Sequence, residues 1–259
     1  MPKDRISAVV ITKNEKENIK NCLESIKWVD EIIIIDAFSS DSTVELCRQY
    51  TDKIYQIKWL GYSKQKNFGI EKAQNNWILS VDADERITDD LKNEIINVLI
   101  GENKADGYCF PRRTFFLGRW IKASGWYPDY QLRLLQKDKG KFNEKRVHEG
   151  VVLDGKKEYL CSDLLHLPYA NLVKYFEKFN EYTTLAAQDL YQKGVQSNIF
   201  KLFLLPIVFF FKSYVFKKGF LDGFTGFVIC IISSFNVFVK YAKLWELQKN
   251  IDSGAKLDR

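Results

Sequence analysis

The chain has 259 residues, of which 46% are hydrophobic and 28% are charged, a composition typical of a globular protein that excludes a disordered one. Its formal net charge of +6 favours an anionic partner, such as a nucleotide diphosphate, an acidic lipid surface or a nucleic acid. The five cysteines are scattered without a C-x-x-C pair, and the first residues lack the apolar core of a signal peptide, so we predict buried thiols and a cytoplasmic location.

Short apolar runs alternate with helical periodicity along the first hundred residues. The runs predict β-strands at residues 6–11, 31–36, 54–57 and 77–81. The segments between them predict helices at residues 16–27, at residues 43–50 after a cap at Asp41 or Ser42, and at residues 62–74. Strands that alternate with helices require crossover connections, which predicts an α/β fold with a mostly parallel sheet.

Two of the predicted strands end in carboxylates, one at Asp36 and the other at Asp82. Because alternate side chains of an extended chain share a face, Asp82 and Asp84 point the same way, as two ligands for Mg²⁺ or Mn²⁺ would. An acidic turn before a helix is the alternative for an isolated D-x-D. Ligands bind beyond the carboxyl ends of parallel strands, so Asp36 and Asp82 are expected to share one crevice, which favours a nucleotide and metal site.

Residues 104–160 predict strands at 107–111 and 130–135, joined by a long aromatic-rich loop at 114–127. Aromatic rings beside Arg112 and Arg113 suit a sugar or a phosphorylated glycolipid, and simple core filling is the alternative. Arg133 is expected near a diphosphate, unless it is an ordinary surface arginine. Neither the dinucleotide-binding glycine motif nor a P-loop occurs in the sequence.

Four segments in the first hundred residues carry a resemblance to a known family: VVITKNEKENIKNCLESI, DEIIIIDAFSSDST, KQKNFGIEKA and ILSVDADE. In this order they resemble the nucleotide-sugar half of the inverting family 2 glycosyltransferases, and in particular the branch that adds glucose or a related hexose to bacterial lipopolysaccharide core. The resemblance implies a GT-A-like, Rossmann-like sheet flanked by helices. One departure is Ala37-Phe38, which stands where Ser-Gly is usual.

The resemblance also implies roles for individual residues. The nucleotide sugar would be bound by Thr12, Asn14, Glu15, Asp36, Lys66, Asp82 and Arg133. The metal, Mg²⁺ or Mn²⁺, would be held by Asp82, Asp84 and His166.

A second segment with ionisable side chains, Val147-His148-Glu149, matches one that recurs in this branch. Inverting transfer needs a base that takes the proton from the acceptor hydroxyl, and a buried carboxylate with a raised pKa suits that role. We therefore predict Glu149 as the base, with Asp129 as the second candidate and His148 orienting Glu149.

The composition changes after His166. Residues 171–193 predict an amphipathic helix, and two apolar runs follow at residues 199–216 and 224–239, flanked by lysines and interspersed with aromatic residues. Neither run reaches the ~20 apolar residues of a spanning helix, so we expect a monotopic element on an anionic inner membrane. A dimer interface or a buried helical pair is one alternative, and a re-entrant hairpin broken at Pro206 is another.

These observations predict a glycosyltransferase domain at residues 1–170, with a nucleotide-sugar half at 1–100 and an acceptor half at 101–170, and a helical membrane-associating extension at 171–259. The predicted function is transfer of a hexose, best assigned as glucose, from a UDP-sugar to a lipid-linked oligosaccharide such as lipopolysaccharide core, at the cytoplasmic face of the inner membrane. The alternatives are a non-catalytic membrane scaffold with the same fold and a nucleotidyltransferase. Nucleic-acid binding is disfavoured because the lysines gather around apolar runs, and the sequence leaves a homo-oligomer open.

Overall fold

The computed structural model describes residues 4–102, 104–143, 150–168 and 171–252. Within these residues the chain forms twelve β-strands and seven α-helices. The strands are β1 Ile6–Thr12, β2 Glu31–Asp36, β3 Ile54–Gln56, β4 Trp77–Asp82, β5 Glu85–Ile87, β6 Gly107–Phe116, β7 Arg119–Trp120, β8 Asp129–Gln136, β9 Gly140–Phe142, β10 Val151–Leu153, β11 Lys157–Tyr159 and β12 Leu164–His166. The helices are α1 Ile19–Ile26, α2 Thr43–Cys47, α3 Tyr62–Lys72, α4 Asp89–Ile100, α5 Leu172–Gln192, α6 Ile199–Phe211 and α7 Gly223–Asp252.

The main sheet has the strand order β3-β2-β1-β4-β8-β6-β12-β5, and β7 and β11 also pair with β6. The first four strands, β1 to β4, are parallel to one another, as the alternation of strands and helices predicted. Antiparallel pairing begins at β8, which lies between β4 and β6. The predicted α/β fold with a parallel sheet is therefore confirmed.

Apolar residues cover both faces of this sheet because alternate side chains of each strand point to opposite faces. On one face, Ala8 and Ile34 pack with the buried residues of α1 and α4. On the other face, Val9 and Ile35 pack with Ile70 of α3. Every residue of β1 and β2 is buried, which explains why both strands read as continuous apolar runs.

Gly69 brings α3 close to the sheet, and its substitution by alanine is expected to destabilise the protein. A methyl group at Gly69 would lie 2.3 Å from Cγ1 of Val9 and 3.2 Å from Cγ1 of Ile35. Overpacking of this kind costs about 1–3 kcal/mol, more than the ~1 kcal/mol that alanine gains in helix propensity. Urea unfolding should show the loss for Gly69→Ala. Gly101→Ala is the matched control, because its nearest neighbour would lie at 3.6 Å; equal midpoints for the two variants would contradict this packing argument.

The predicted irregular loop at residues 114–127 is wrong for residues 114–116 and 119–120, which are in strands. Strand β6 continues to Phe116 and returns as β7, with Phe115 paired with Trp120. Leu117 and Gly118 form the turn, and both have positive φ (47° and 77°), as a tight hairpin turn requires. The aromatic and β-branched residues at 114–116 favour a strand, and a two-residue turn is enough to reverse it.

The chain divides into two compact units, the first comprising Met1–Thr114 and Pro128–Pro168 and the second Phe115–Tyr127 and Tyr169–Arg259. Residues 115–127 thus belong with the C-terminal helices. The predicted division at residue 170 stays a prediction. In the second unit, Phe116, Ile121, Tyr175 and Ile229 are among the residues of a separate apolar core.

The C-terminal helices differ from the prediction in length and continuity. Pro206 lies inside α6 and does not end it. Two stretches, Ile199–Phe216 and Gly219–Lys249, are long and apolar enough to cross a membrane by length and composition alone. Helix α7 is longer than the apolar run at residues 224–239 because it continues through Lys240 and Lys243, and the expectation that neither run spans a membrane stays a prediction.

Candidate active site

The carboxyl ends of β1, β2 and β4 meet at one edge of the sheet. Thr12 is paired in register with Asp36, and the preceding residue, Ile11, is paired with Asp82. The structure therefore brings Asp36 and Asp82 to the same edge on either side of β1, where the sequence predicted a shared crevice. In an open α/β sheet this edge is the position at which ligands bind.

The loops after β1 and β2 are held together by polar side chains at this edge. Asp36 is fully buried, and its Oδ2 accepts hydrogen bonds from the Ser39 backbone N–H at 2.9 Å and from Gln56 Nε2 at 3.0 Å. Asn14 has a positive φ of 56°, and its Oδ1 accepts from the Ser40 backbone N–H at 2.8 Å. These two predicted nucleotide-binding residues shape the loops, and their contact with a nucleotide stays a prediction.

Thr12 and Glu15 lie beside those loops. The Thr12 hydroxyl is buried and has no hydrogen-bond partner among the described residues, so it has hydrogen-bonding capacity to offer a ligand. The Glu15 backbone N–H donates to Thr43 Oγ1 at 2.9 Å, which joins the β1–α1 loop to the start of α2. Phe38 has a φ of 54°, in the left-handed region that favours glycine, which explains why the family pattern has glycine there.

A buried network of ion pairs surrounds Asp82. Its Oδ1 lies 2.8 Å from Lys66 Nζ, and its Oδ2 accepts a hydrogen bond from Arg133 Nη2 at 2.5 Å. Arg133 Nη2 also bonds Glu85 Oε1 at 2.5 Å, and Arg112 Nη1 lies 3.6 Å from the same oxygen. Both Lys66 and Arg133, which the sequence assigned to the diphosphate, are thus paired with Asp82 in this structure.

The charges in this network shift the pKa values of its members. Burial alone would raise the pKa of Asp82, but Arg133 and Lys66 hold that pKa well below its usual range. Burial raises the pKa of Glu85, against the opposing charge of Arg133 and with a further rise from Asp82. Burial would lower the pKa of Arg133, but the two carboxylates raise it above its usual range. Asp82 and Arg133 are therefore a charged pair at neutral pH.

The turn from Asp82 to Glu85 is fixed by its own side chains. Glu85 Oε2 accepts from the Asp82 backbone N–H at 3.0 Å. Arg86 donates to the Ala83 carbonyl at 2.9 Å and to the Asn18 carbonyl at 2.7 Å, which ties the turn to the residues before α1. Asp84 is consequently held at a defined place beside β12.

Asp84 and His166 form the pair that could hold a metal. His166 Nε2 lies 3.7 Å from Asp84 Oδ2, and Nδ1 lies 3.1 Å from Thr114 Oγ1. Burial lowers the pKa of His166 to about 4, against a smaller rise caused by Asp84, so the imidazole is neutral near pH 7, as a metal ligand must be.

Asp84 and His166 could together supply two protein ligands to the predicted divalent ion. No group of three His, Cys, Asp or Glu side chains suited to a metal occurs within the described ranges. One or two protein ligands completed by phosphate oxygens and water are the usual arrangement for Mg²⁺. A role for Asp82 as a third ligand stays a prediction, since both of its oxygens contact cations here.

Of the two candidates for the base, the structure describes only Asp129. Asp129 Oδ2 accepts two hydrogen bonds from Arg112, from Nε at 3.0 Å and from Nη2 at 2.6 Å, and Oδ1 accepts one from Gln131 at 2.8 Å. Glu149 and His148 lie outside the described residues. Neither role is tested by the structure.

Sequence reasoning did not assign Glu85 or Thr114 to the site, and it placed Arg112 on the acceptor side only. Glu85 carried a signal, because it directly follows Asp84 in the motif that was recognised. Arg112 and Thr114 become neighbours of the site only through the pairing of β6 with β8 and β12, which a single sequence does not reveal.

Comparison with known proteins agrees with this geometry. The family model described as glycosyl transferase family 2 matches residues 7–149. The lipopolysaccharide core biosynthesis glycosyltransferase LpsC of Rhizobium meliloti is 29% identical over 95% of this chain and 94% of its own length. An uncharacterized glycosyltransferase of Rickettsia felis is 31% identical over 94% of this chain and 90% of its own. In fold, the chain is similar to residues 1–349 of S. aureus TarS, solved with UDP-GlcNAc, with a TM-score of 0.51 and 14% identity over 98% of this chain and 93% of TarS 1–349.

Proposed function

Because this chain belongs to glycosyl transferase family 2 and is a glycosyltransferase, we propose that it moves a hexose, best assigned as glucose, from a UDP-sugar to a lipid-linked oligosaccharide such as lipopolysaccharide core, with inversion. The proposed location is the cytoplasmic face of the inner membrane. The membership follows from the family match over more than half of the chain and from relatives that cover nearly all of it.

The observation that carries the proposal is the concentration of charge at the carboxyl edge of the sheet. Lys66, Arg133 and Arg112 supply three cations beside the end of β4, where a diphosphate would need them. The Thr12 hydroxyl, which has no hydrogen-bond partner in the part of the chain that the structure describes, lies at the same edge, beside the predicted uridine-binding loops. Arginine and lysine bind phosphate oxygens well in such partly buried settings.

A divalent ion supports the same chemistry. Mg²⁺ or Mn²⁺ held by Asp84 and His166 would act as a Lewis acid that neutralises charge on the leaving diphosphate. The protein then has to bring an acceptor hydroxyl to the anomeric carbon and remove its proton. We assign that proton to the Glu149 carboxylate, with Asp129 as the second candidate.

The donor and acceptor classes are supported by the relatives. LpsC is named for lipopolysaccharide core biosynthesis, and TarS is named in complex with UDP-GlcNAc. A lipid-linked acceptor stays in the bilayer, and the exposed apolar helices of the second unit suit an enzyme that works there.

The test is release of UDP from a panel of UDP-sugars by the full chain, with lipopolysaccharide-core acceptor present or absent, in Mn²⁺, in Mg²⁺ and in EDTA. We expect one hexose donor to be turned over faster than the others and EDTA to stop the reaction. Release of UDP from none of the donors would overturn the proposal and favour the non-catalytic scaffold. Equal rates in EDTA and in Mn²⁺ would overturn only the proposed dependence on a divalent metal ion.

A further inference from the structure

Helix α6, the α6–α7 connection and the start of α7 all expose large apolar side chains. Helix α6, all of whose residues are described, has no buried side chain. Phe200, Phe203, Ile207 and Phe211 recur at helical spacing, so they lie on one face of α6, and all four are exposed. Phe216 in the α6–α7 connection and Phe224 in the first turn of α7 are 79% and 81% exposed. We call these six residues the apolar face.

A water-soluble monomer rarely exposes a patch of this size. Only 6% of the stretch Ile199–Phe216 is buried, whereas a core helix of a soluble protein would be mostly buried. The apolar face therefore needs a covering surface.

The packing of α5 against α7 argues against a membrane-spanning α7. Phe179 of α5 stacks on Phe235 of α7 with ring centroids 5.8 Å apart, and Lys243 Nζ donates to the Asn180 carbonyl at 2.9 Å. Helix α5 thus packs along the middle of α7, and it exposes the charged residues Lys174, Glu177 and Glu181. If α7 crossed the bilayer, these charges would enter the hydrocarbon, where charged side chains are costly.

The α6–α7 connection and the residues in and just after β7 carry exposed cations, which we call the basic cluster: Arg119, Lys122, Lys212, Lys217 and Lys218. The β6–β7 hairpin and the connection are bonded to each other. The buried carboxylate of Asp222 accepts from the backbone N–H of Ala123 at 2.8 Å, and the Ser124 N–H donates to the Lys217 carbonyl at 3.0 Å. Residues from two distant parts of the chain therefore present positive charge beside Phe216 and Phe224.

The positive charge of this region indicates what kind of surface covers the apolar face. Between residues 198 and 245 the sequence has six lysines and a single acidic residue, Asp222, which is buried. A second copy would bring the same positive charge to the interface, whereas an anionic bilayer supplies the opposite charge. A cationic rim around aromatic side chains is also the composition of helices that lie at the headgroup level.

We propose that the apolar face lies in the plane of an anionic phospholipid bilayer without crossing it, and that the basic cluster binds lipid phosphate groups at its border. The inference deepens the proposed function and rests on it, since a lipid-linked acceptor is the reason for an enzyme of this kind to sit on a membrane.

The first experiment measures depth in vesicles of phosphatidylcholine and phosphatidylglycerol. Cys161 is exposed and is replaced by serine, while the other four cysteines are buried and are kept. A fluorophore is then attached to single cysteines at positions 200, 207 and 216, and at position 177 on α5 as a control. Nitroxide lipids should quench the three positions of the apolar face to a similar, shallow depth and should leave position 177 unquenched. Deep quenching at 207 with shallow quenching at 200 and 216 would show that α6 spans the bilayer and would overturn the proposal.

The second experiment measures the basic cluster by vesicle flotation. Lys217→Gln with Lys218→Gln is expected to lower partitioning into phosphatidylglycerol vesicles at least tenfold and to leave partitioning into pure phosphatidylcholine unchanged. Lys174→Gln with Lys193→Gln removes the same charge from outside the cluster and should change neither. Equal losses for the two pairs would contradict lipid phosphate binding by the cluster.

Two further readouts separate the remaining outcomes. A dimer that forms without vesicles and that Phe200→Ser with Phe203→Ser dissociates would assign the apolar face to a second copy and overturn the proposal. UDP release by the same variants in detergent is expected to stay unchanged, because they lie outside the candidate active site. Absence of UDP release from every form would end the proposed function, while the quenching data would still decide the membrane geometry.

Discussion

Replacement of Asp84 by asparagine is expected to lower glycosyl transfer at least about 100-fold in a protein that remains folded. Asp84 lies beside His166 Nε2, and these two groups are the ones that we propose hold the divalent ion. The amide keeps the shape of the side chain but loses its charge, and loss of one electrostatic stabiliser of the transition state costs ~10²–10³ in rate. Transfer rates at increasing Mn²⁺ should show a weaker metal dependence in Asp84→Asn, and Mn²⁺ binding with UDP alone, followed by electron paramagnetic resonance, should weaken in parallel.

Asp82→Asn is the matched control, with the same chemical change two residues earlier. Asp82 is bonded to Lys66 and Arg133, which are both buried, so its neutralisation leaves two cations without their shared partner. Breaking such a pair costs about 3 kcal/mol or more in unfolding free energy. Thermal unfolding should therefore separate the variants, with Asp82→Asn the less stable. An Asp84→Asn protein that keeps its activity and its metal affinity would remove Asp84 from the metal site.

The parallel half of the fold could be predicted from the sequence because each of its elements is local. The four isoleucines of β2 and the apolar run of β1 can be buried on both faces only in the middle of a parallel sheet, so their carboxyl ends had to share an edge. That reasoning placed Asp36 and Asp82 correctly relative to each other. Their shared edge does not depend on which strand lies on the other side of β4.

The electrostatics of the site could not be predicted in this way. Asp82 is bonded to Arg133, 51 residues later in the chain, because β8 runs antiparallel beside β4. A single sequence shows a polar and apolar alternation for β8 but not its neighbour. The prediction of two equivalent metal-binding aspartates therefore overlooked that one of them would be paired with buried cations.

Two local errors have local causes. The sequence predicted the first strand of the β6–β7 hairpin at residues 107–111 but a loop from residue 114, because the aromatic density outweighed the turn formed by Leu117 and Gly118. Pro206 was expected to break the first apolar run, yet α6 continues through it. A proline removes one hydrogen bond of the helix, and the remaining hydrogen bonds keep α6 continuous on both sides of Pro206.

Glu149→Gln is the second variant with a large expected effect, and it tests the proposed base. The side chain would keep its size but could no longer accept the proton of the acceptor hydroxyl. Loss of a general base lowers turnover by about 10²–10⁴, while binding of the UDP-sugar should be unchanged. Transfer kinetics give the turnover, and calorimetric titration with UDP-sugar gives the binding, so the two effects can be measured separately.

The comparison that decides the assignment is with Asp129→Asn. Hydrogen bonds to both carboxylate oxygens hold Asp129 in place, because Oδ2 accepts from Arg112 and Oδ1 accepts from Gln131. A carboxylate whose oxygens already accept those bonds is poorly placed to take a further proton, so we expect Asp129→Asn to lower turnover by less than about tenfold. If instead Asp129→Asn loses turnover as far as Glu149→Gln was expected to, and Glu149→Gln remains active, then the proton goes to Asp129, and Arg112 must release that side chain when the acceptor binds.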